Sequence, residues 1–282
     1  MAPLLRLVTV VALFASMVVN ASPVVIHNDG DQLKQENTVV NDIGFVEHPG
    51  KRAFEILSKR DSNWESKIIT ACKVPGTIAI TFDDGPFEYT RQLLDILKKE
   101  DVRTTFFMNG DNYSKILDSK YRALVNQAMD DGHQIASHTW DHADLSKLSK
   151  AQILSEVSRL DKAFLTIIKK RPVYMRPPFG NVNELVVDTL TEAGYKIVKW
   201  NIDTQDWTRP TKPNESFKAY EDALGAQDAI KKGFIALEHD VYRDTALKLA
   251  VKAIQYAKSK DFKVEPVATC LGDTDPENWY RK

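Results

Sequence analysis

The chain lacks the marks of several large protein classes. Lysine and arginine total 38 against 39 acidic residues, a formal charge of −1. Such a balance leaves no basic field for nucleic acid or for an anionic membrane surface. No internal repeat or low-complexity tract is present, so a repeat architecture is not expected. Cysteine is scarce, with two residues, Cys72 and Cys270. Long apolar runs are almost absent: residues 4–19 hold the clearest one, and the end of the chain, Asn278-Trp279-Tyr280-Arg281-Lys282, carries no hydrophobic tail for a lipid anchor of the GPI type. No added binding module is apparent.

What is present is 282 residues with 43% hydrophobic content, enough for one sizeable core plus extensions. The apolar run at 4–19 follows Met-Ala-Pro, has Arg6 near its start, and meets the small residues Val19-Asn20-Ala21. That pattern predicts a secretory signal peptide over 1–21. An uncleaved anchor is the alternative, but the run is short for a membrane span and Ser22-Pro23 follows it. Residues 22–60 show little apolar periodicity and hold two dibasic pairs, Lys51-Arg52 and Lys59-Arg60. They read as a poorly ordered leader, either a processed pro-segment or a flexible tail. The catalytic region is assigned to 61–282. In a secreted chain Cys72 and Cys270 are expected to pair, with two independent buried thiols as the alternative. Acceptor sequons for N-glycosylation occur at Asn112-Tyr113-Ser114 and Asn214-Glu215-Ser216.

Strand-like and helix-like segments alternate through the catalytic region. Strands are expected at 77–82, 102–107, 134–138, 173–176, 196–202, 234–239 and 263–267. Helical periodicity runs from Phe87 to Glu100, Ser149 to Lys170, Asn183 to Ala193 and Tyr242 to Lys258. Alternation of this kind predicts an α/β fold with a parallel sheet, closed or nearly closed into a distorted (β/α) barrel of about seven strands. In such barrels function collects at the C-terminal strand ends.

Those ends carry the chemistry. Ile78-Ala79-Ile80-Thr81-Phe82 runs into Asp83-Asp84-Gly85-Pro86, two adjacent carboxylates at a strand mouth followed by a turn. Paired carboxylates repel and lose hydration there, so a metal is expected against them. About fifty residues on, His138 and His142 stand four apart. One Asp and two His make a three-ligand site with room for water, and leave the other Asp free as a base. Arg176 precedes Pro177-Pro178-Phe179-Gly180, a permanent charge on a locked backbone. Asp206 and Trp207 follow the next strand, where an exposed Trp suits sugar stacking. Leu237 and His239 close the last station, with His239 placed to act as an acid near neutrality.

With these five stations in this order, the chain resembles the polysaccharide deacetylase family (carbohydrate esterase family four), its fungal chitin-active branch in particular. The resemblance covers about residues 70–270. It implies that Asp83 is the catalytic base and that Asp84, His138 and His142 hold the metal, zinc with cobalt as a substitute. It implies that Arg176 positions the base, that the backbone N–H of residue 179 helps form the oxyanion hole, that Asp206 tunes His239, that Trp207 lines the groove with Leu237, and that His239 is the general acid. The family pattern has Tyr where this chain has Phe179, a change that keeps the backbone donor and alters side-chain contacts alone. The expected reaction is hydrolysis of N-acetyl groups from chitin or chitin oligomers by a secreted monomer without a stable membrane anchor or a nucleic-acid partner. Two rivals stay open: an O-deacetylase acting on acetylxylan, and a non-catalytic protein that binds wall polysaccharide.

Overall fold

The computed structural model describes residues 63–281, and the expected signal peptide and leader lie outside these described residues. The chain opens with β1 (Ile68–Ile69) and β2 (Thr77–Asp83), then α1 (Thr90–Lys99), β3 (Thr105–Met108), α2 (Ser119–Asp130) and β4 (Gln134–Ser137). There follow α3 (Lys150–Ile167), β5 (Arg171–Pro172), β6 (Tyr174–Met175), α4 (Glu184–Glu192), β7 (Lys196–Val198), β8 (Ile202–Asp203) and α5 (Pro213–Leu224). The last elements are β9 (Phe234–His239), α6 (Ala250–Ser259), β10 (Lys263–Val264), α7 (Val267–Cys270) and β11 (Tyr280–Arg281).

Every residue of β2 is buried, polar Thr77, Thr81 and Asp83 included. That is the signature of a parallel strand covered on both faces, and it explains an unbroken apolar run instead of an alternating one. The main sheet has nine strands, ordered β1-β7-β6-β4-β3-β2-β9-β8, with β10 added to the start of β2. Each pairing within it is parallel. The sheet curls into a partial barrel with helices outside, which agrees with the expected α/β barrel. The strands are more numerous and shorter than the apolar runs suggest.

The clearest departure lies at 196–202. The sequence reads as one strand, but the structure divides it into β7, bound to β1 and β6, and β8, bound to β9. These two lie at opposite ends of the sheet order, so Lys199-Trp200-Asn201 crosses the barrel's open side. Lys199 N–H donates to Ile69 O at 2.7 Å, and Asn201 N–H donates to Ile235 O at 3.0 Å, which ties the crossing to both edges. A continuous hydrophobic run carries no mark of such a change of partner.

The helices bury apolar stripes against this sheet. α1 packs Leu93, Leu94 and Leu97 inward, and α3 packs Ile153, Val157, Leu160 and Phe164. Ser149 and Gln152 form a capping box at the start of α3, and the Asn183 side chain caps α4 by accepting from Val186 N–H. α1 begins at Thr90, three residues later than the periodicity suggests, because Phe87 N–H is taken by Thr90 Oγ1 in the preceding turn. Helices α2 and α5 were not expected. Their inward stripes, Leu124, Val125 and Ala128 in one and Phe217, Tyr220 and Leu224 in the other, are thin and separated by polar residues.

Cys72 and Cys270 form a disulfide that joins the approach to β2 with α7, across 198 residues of chain. The pairing is as expected. Closing so long a loop restricts the unfolded chain by an amount worth up to about 5 kcal/mol. The double variant Cys72→Ser/Cys270→Ser is expected to lose about 2–5 kcal/mol of stability, read as a lower denaturant midpoint, with the acidic strand-end cluster left intact.

Candidate active site

Because the sheet is parallel, one rim collects the C-terminal ends of its strands. β2 delivers Asp83 and Asp84, β4 runs into His138, β6 into Arg176, β8 toward Asp206, and β9 ends at His239. All sequence-expected site residues therefore meet. They surround a cleft of about 510 Å³ whose lining includes Asp83, Asp84, His138, His142, Phe179 and His239.

Asp84 takes φ 75°, and the backbone there turns its carboxylate toward the two imidazoles. Its Oδ1 lies 3.6 Å from His138 Nε2 and 3.4 Å from His142 Nε2. The three ligand atoms fall within 4.8 Å of one another. A tetrahedral ion about 2.1 Å from each donor would set ligand atoms roughly 3.4 Å apart, close to what is seen. The proton inventory agrees. His138 Nδ1 donates to Arg176 O at 2.7 Å, which leaves a bare lone pair on Nε2. Burial first, then neighbouring positive charge, holds His138 well below the usual imidazole range, and burial and His239 bring His142 to about 4. Burial pushes the Asp84 carboxyl up to about 6. The bare His138 Nε2 and the Asp84 oxygen it faces repel one another unless a cation lies between them. The donor set thus fits a divalent metal, and one imidazole-rich, three-ligand site leaves open positions for water and substrate.

Asp83 borders that set and is held from its other side. Its Oδ1 accepts from Arg176 Nη1 at 2.7 Å, while its Oδ2 stays 3.7 Å from His138 Nε2. Burial raises its carboxyl above the ordinary range, against the pull of the Arg176 guanidinium. Arg176 is completely buried. It also donates to Thr81 Oγ1 at 2.6 Å and to Lys199 O at 3.1 Å, and it stacks over Phe107 at 4.1 Å. Taken alone its stretch of sequence reads as a turn, and only the family resemblance assigns it to Asp83. The signal that could have shown it is the run of apolar strand ends it must pass beneath.

Across the cleft, His239 Nδ1 lies 2.8 Å from Asp206 Oδ1, and His239 N–H donates to Asp206 Oδ2 at 2.8 Å. Trp207 N–H gives Asp206 a third donor at 3.0 Å. Burial alone would lower the imidazole, but the Asp206 carboxylate outweighs it and takes His239 up to about 9. With Nδ1 held by Asp206, the Nε2 proton is free to face the cleft.

Aromatic rings complete the walls. Phe179 is 62% exposed and Trp207 55% exposed. The Phe179 ring meets His142 edge-on at 4.6 Å, with the backbone at residue 179 in the left-handed region at φ 59°. Leu237, the expected groove residue on β9, lines the cleft floor although nearly buried. Sequence reasoning missed Tyr113, Trp200 and Tyr242, which also line the cleft. Tyr113 and Tyr242 meet through their hydroxyls at 3.3 Å, and Tyr242 packs on His239. Each follows a strand end by a few residues, which is the signal that could have found them.

Comparison with known proteins gives consistent results. The family described as polysaccharide deacetylase matches residues 70–198. A chitin deacetylase of Pestalotiopsis sp is 43% identical over 230 residues, 81% of this chain and 74% of that protein. A chitin deacetylase of Colletotrichum lindemuthianum is 39% identical over 215 residues, 76% of this chain and 86% of its own length. The solved structure of the chitin deacetylase from that fungal pathogen superposes with a TM-score of 0.74 at 38% identity, covering 76% of this chain and 95% of the other. A CE4 family pseudoenzyme of Bacillus anthracis has the same fold, with a TM-score of 0.62 at 22% identity, covering 73% and 69% of the two chains. The fold alone therefore does not decide activity; the residues at the rim do.

The His239–Asp206 pair has a measurable consequence. In metal-free protein His239 is expected to titrate near pH 9 by NMR, because its folded pKa is raised. Asp206→Asn should return it to the usual imidazole range or below. The sign for stability follows: the pair contributes in full below about pH 6.5 and its contribution fades as pH rises toward 9.

Proposed function

The chain belongs to the polysaccharide deacetylase family, and from its site we propose that it hydrolyses N-acetyl groups of N-acetylglucosamine polymers, giving chitosan-like product and acetate. The observation that carries this reading is the placement of a buried base, a three-ligand metal set and a charged imidazole around one cleft. The relatives' names supply the polymer.

Asp84, His138 and His142 would hold the ion. Zinc, or cobalt in its place, would polarise the acetyl carbonyl and make the attacking water more acidic. Asp83 takes a proton from that water as its oxygen adds to the acetyl carbon, and the Arg176 guanidinium keeps Asp83 aimed and favours its charged form against burial. The N–H of Phe179 donates to the oxygen that gains charge. As the carbon–nitrogen bond breaks, His239 gives its proton to the departing amine, and Asp206 steadies the imidazole before and after. An amine is a poor leaving group without that proton, so a well-held acid suits an N-acetyl substrate better than an ester. Trp207 offers a flat exposed face for a pyranose ring.

Secretion is inferred from the disulfide and the apolar run at 4–19, and among the described residues no helix is long and apolar enough to cross a membrane. A monomer acting on a polysaccharide, with no nucleic-acid partner, fits the charge balance and the open cleft.

The test is acetate release from chitin oligomers of increasing length beside acetylxylan. Activity should rise with oligomer length and be weak on acetylxylan; faster release from acetylxylan at matched acetyl concentration would move the assignment to O-deacetylation. No release from either, with oligomer binding retained, would favour the non-catalytic reading. Asp83→Asn should cost about 10²–10⁴ in kcat with metal content unchanged, whereas Asp84→Asn or His138→Ala should lose the metal by elemental analysis. Chelation should abolish turnover, and zinc or cobalt should restore it. Trp207→Ala should raise KM roughly threefold to tenfold with little change in kcat, equivalent to about 1 kcal/mol of stacking.

A further inference from the structure

Asn112 has a use that its place in a glycosylation sequon conceals. It lies on the loop after β3, and its amide nitrogen donates to Asp84 Oδ1 at 3.3 Å and to Asn109 Oδ1 at 3.1 Å. Both amide hydrogens are therefore engaged. Asn109 is buried, and its own amide nitrogen donates to the carbonyls of His138 and Thr139. Two linked amides thus connect the carboxylate at the end of β2 to the backbone that carries His138 at the end of β4. Chemistry fixes the orientation of the Asn112 amide: turned over, its oxygen would face the Asp84 carboxylate, acceptor against acceptor. The donated bond reaches the same Asp84 oxygen that faces His138 and His142.

We propose that Asn112 is a positioning residue for Asp84, and that glycosylation of Asn112 and activity exclude one another. The proposal rests on the reading of Asp84 as a metal ligand. A carboxylate with φ 75° behind it, on a turn, has few other restraints on its rotation; the Asn112 N–H fixes which oxygen faces the imidazoles. N-glycosylation breaks one Nδ2–H bond and forms a bond from Nδ2 to the sugar's anomeric carbon. The donor is a polyprenyl-diphosphate sugar, whose diphosphate leaves with the bonding electrons while the amide proton passes to solvent. One amide hydrogen then remains for two acceptors, and the glycan occupies the mouth of the cleft that Asn112 lines. Folding opposes the modification. The sequon's hydroxyl, Ser114 Oγ, donates to Pro86 O at 2.6 Å, so the folded loop withholds both the amide and the hydroxyl that a glycosyltransferase must engage.

The first test uses the full chain from a bacterial host without N-glycosylation. Zinc affinity is measured by competition with a chromophoric chelator, beside the melting temperature of the zinc-free protein. Asn112→Ala is expected to weaken zinc binding about 10–100-fold and to leave the zinc-free melting temperature close to wild type. A zinc Kd within twofold of wild type would overturn the positioning role. Asp84→Asn is the separate control: if it keeps full zinc affinity, the ligand reading itself fails and the proposal fails with it. The second test uses a glycosylating secretory host and Asn214→Gln, which removes the other sequon. Protein is divided on a lectin column and its sugar located by glycopeptide mass spectrometry. The lectin-bound fraction, carrying sugar on Asn112, is expected to release no acetate, while the unbound fraction is active. Equal specific activity in the two fractions would overturn the exclusion; a preparation that is wholly bare at Asn112 and active supports it.

Discussion

Five carboxyl groups, those of Asp83, Asp84, Asp206, Glu238 and Asp240, are buried at one rim of the sheet, and the architecture of the site answers the cost of removing that charge from water. Burial favours the neutral form of two of them: it takes Glu238 up to about 8, with Tyr220 Oη donating to it at 2.6 Å, and Asp240 up to about 7, with Thr90 Oγ1 as its donor. Two others face cations. Arg176 serves Asp83, and the charged His239 serves Asp206. Asp84 faces two imidazoles that burial disfavours in the charged form, and burial raises Asp84 itself to about 6. A divalent ion among the three would relieve all of these costs at once, which agrees with the ligand spacing.

The same inventory divides the roles of two adjacent aspartates. Successive strand residues point to opposite sides, and the left-handed turn at Asp84 sends its carboxylate to the imidazoles while Asp83 stays on the guanidinium. Left-handed backbone recurs at His142 and Phe179, both lining the cleft. Residues with a β-carbon adopt this conformation at a cost, and it persists where surrounding structure over-determines it. Here it brings three side chains from separate loops to one point. Glu238 on β9 and Asp240 just beyond its end flank His239 but face Tyr220 and Thr90, so the two-residue period turns them to the side opposite the cleft.

The crossing at 199–201 gives the barrel its open side and the cleft its width. Trp200 enters the wall there, and Gly180 lies so close to the Trp200 ring that an added β-carbon would approach it to 2.7 Å. Lys199 O receives Arg176 from below. A closed barrel would have filled this place with sheet; a split strand leaves an open groove while still holding Arg176 beneath Asp83.

Composition, periodicity and strand-end motifs in the sequence determined the parallel α/β barrel, the polar groups that gather at its rim and the pairing of Cys72 with Cys270. Strands buried on both faces must be apolar, and chemistry gathers where parallel strands end, so both leave local marks. The sequence also suggested that Asp83-Asp84 and His138/His142 belong together, because both pairs stand at the ends of apolar strand-like runs and match the order of the family's motifs. Only the tertiary structure decided which helices complete the layers, where the run at 196–202 changes partners, and how Asn112, Tyr113, Trp200 and Tyr242 join the site. Arg176 stands in a recognisable Arg-Pro-Pro-Phe-Gly stretch, and the fold adds that it is completely buried beneath the rim; Asn112 reads as a sugar acceptor in the sequence and donates to Asp84 in the fold. What they do is set by long-range contacts, 93 residues from Arg176 to Asp83 and 28 from Asn112 to Asp84, and a contact between distant segments exists only once the fold has brought them together.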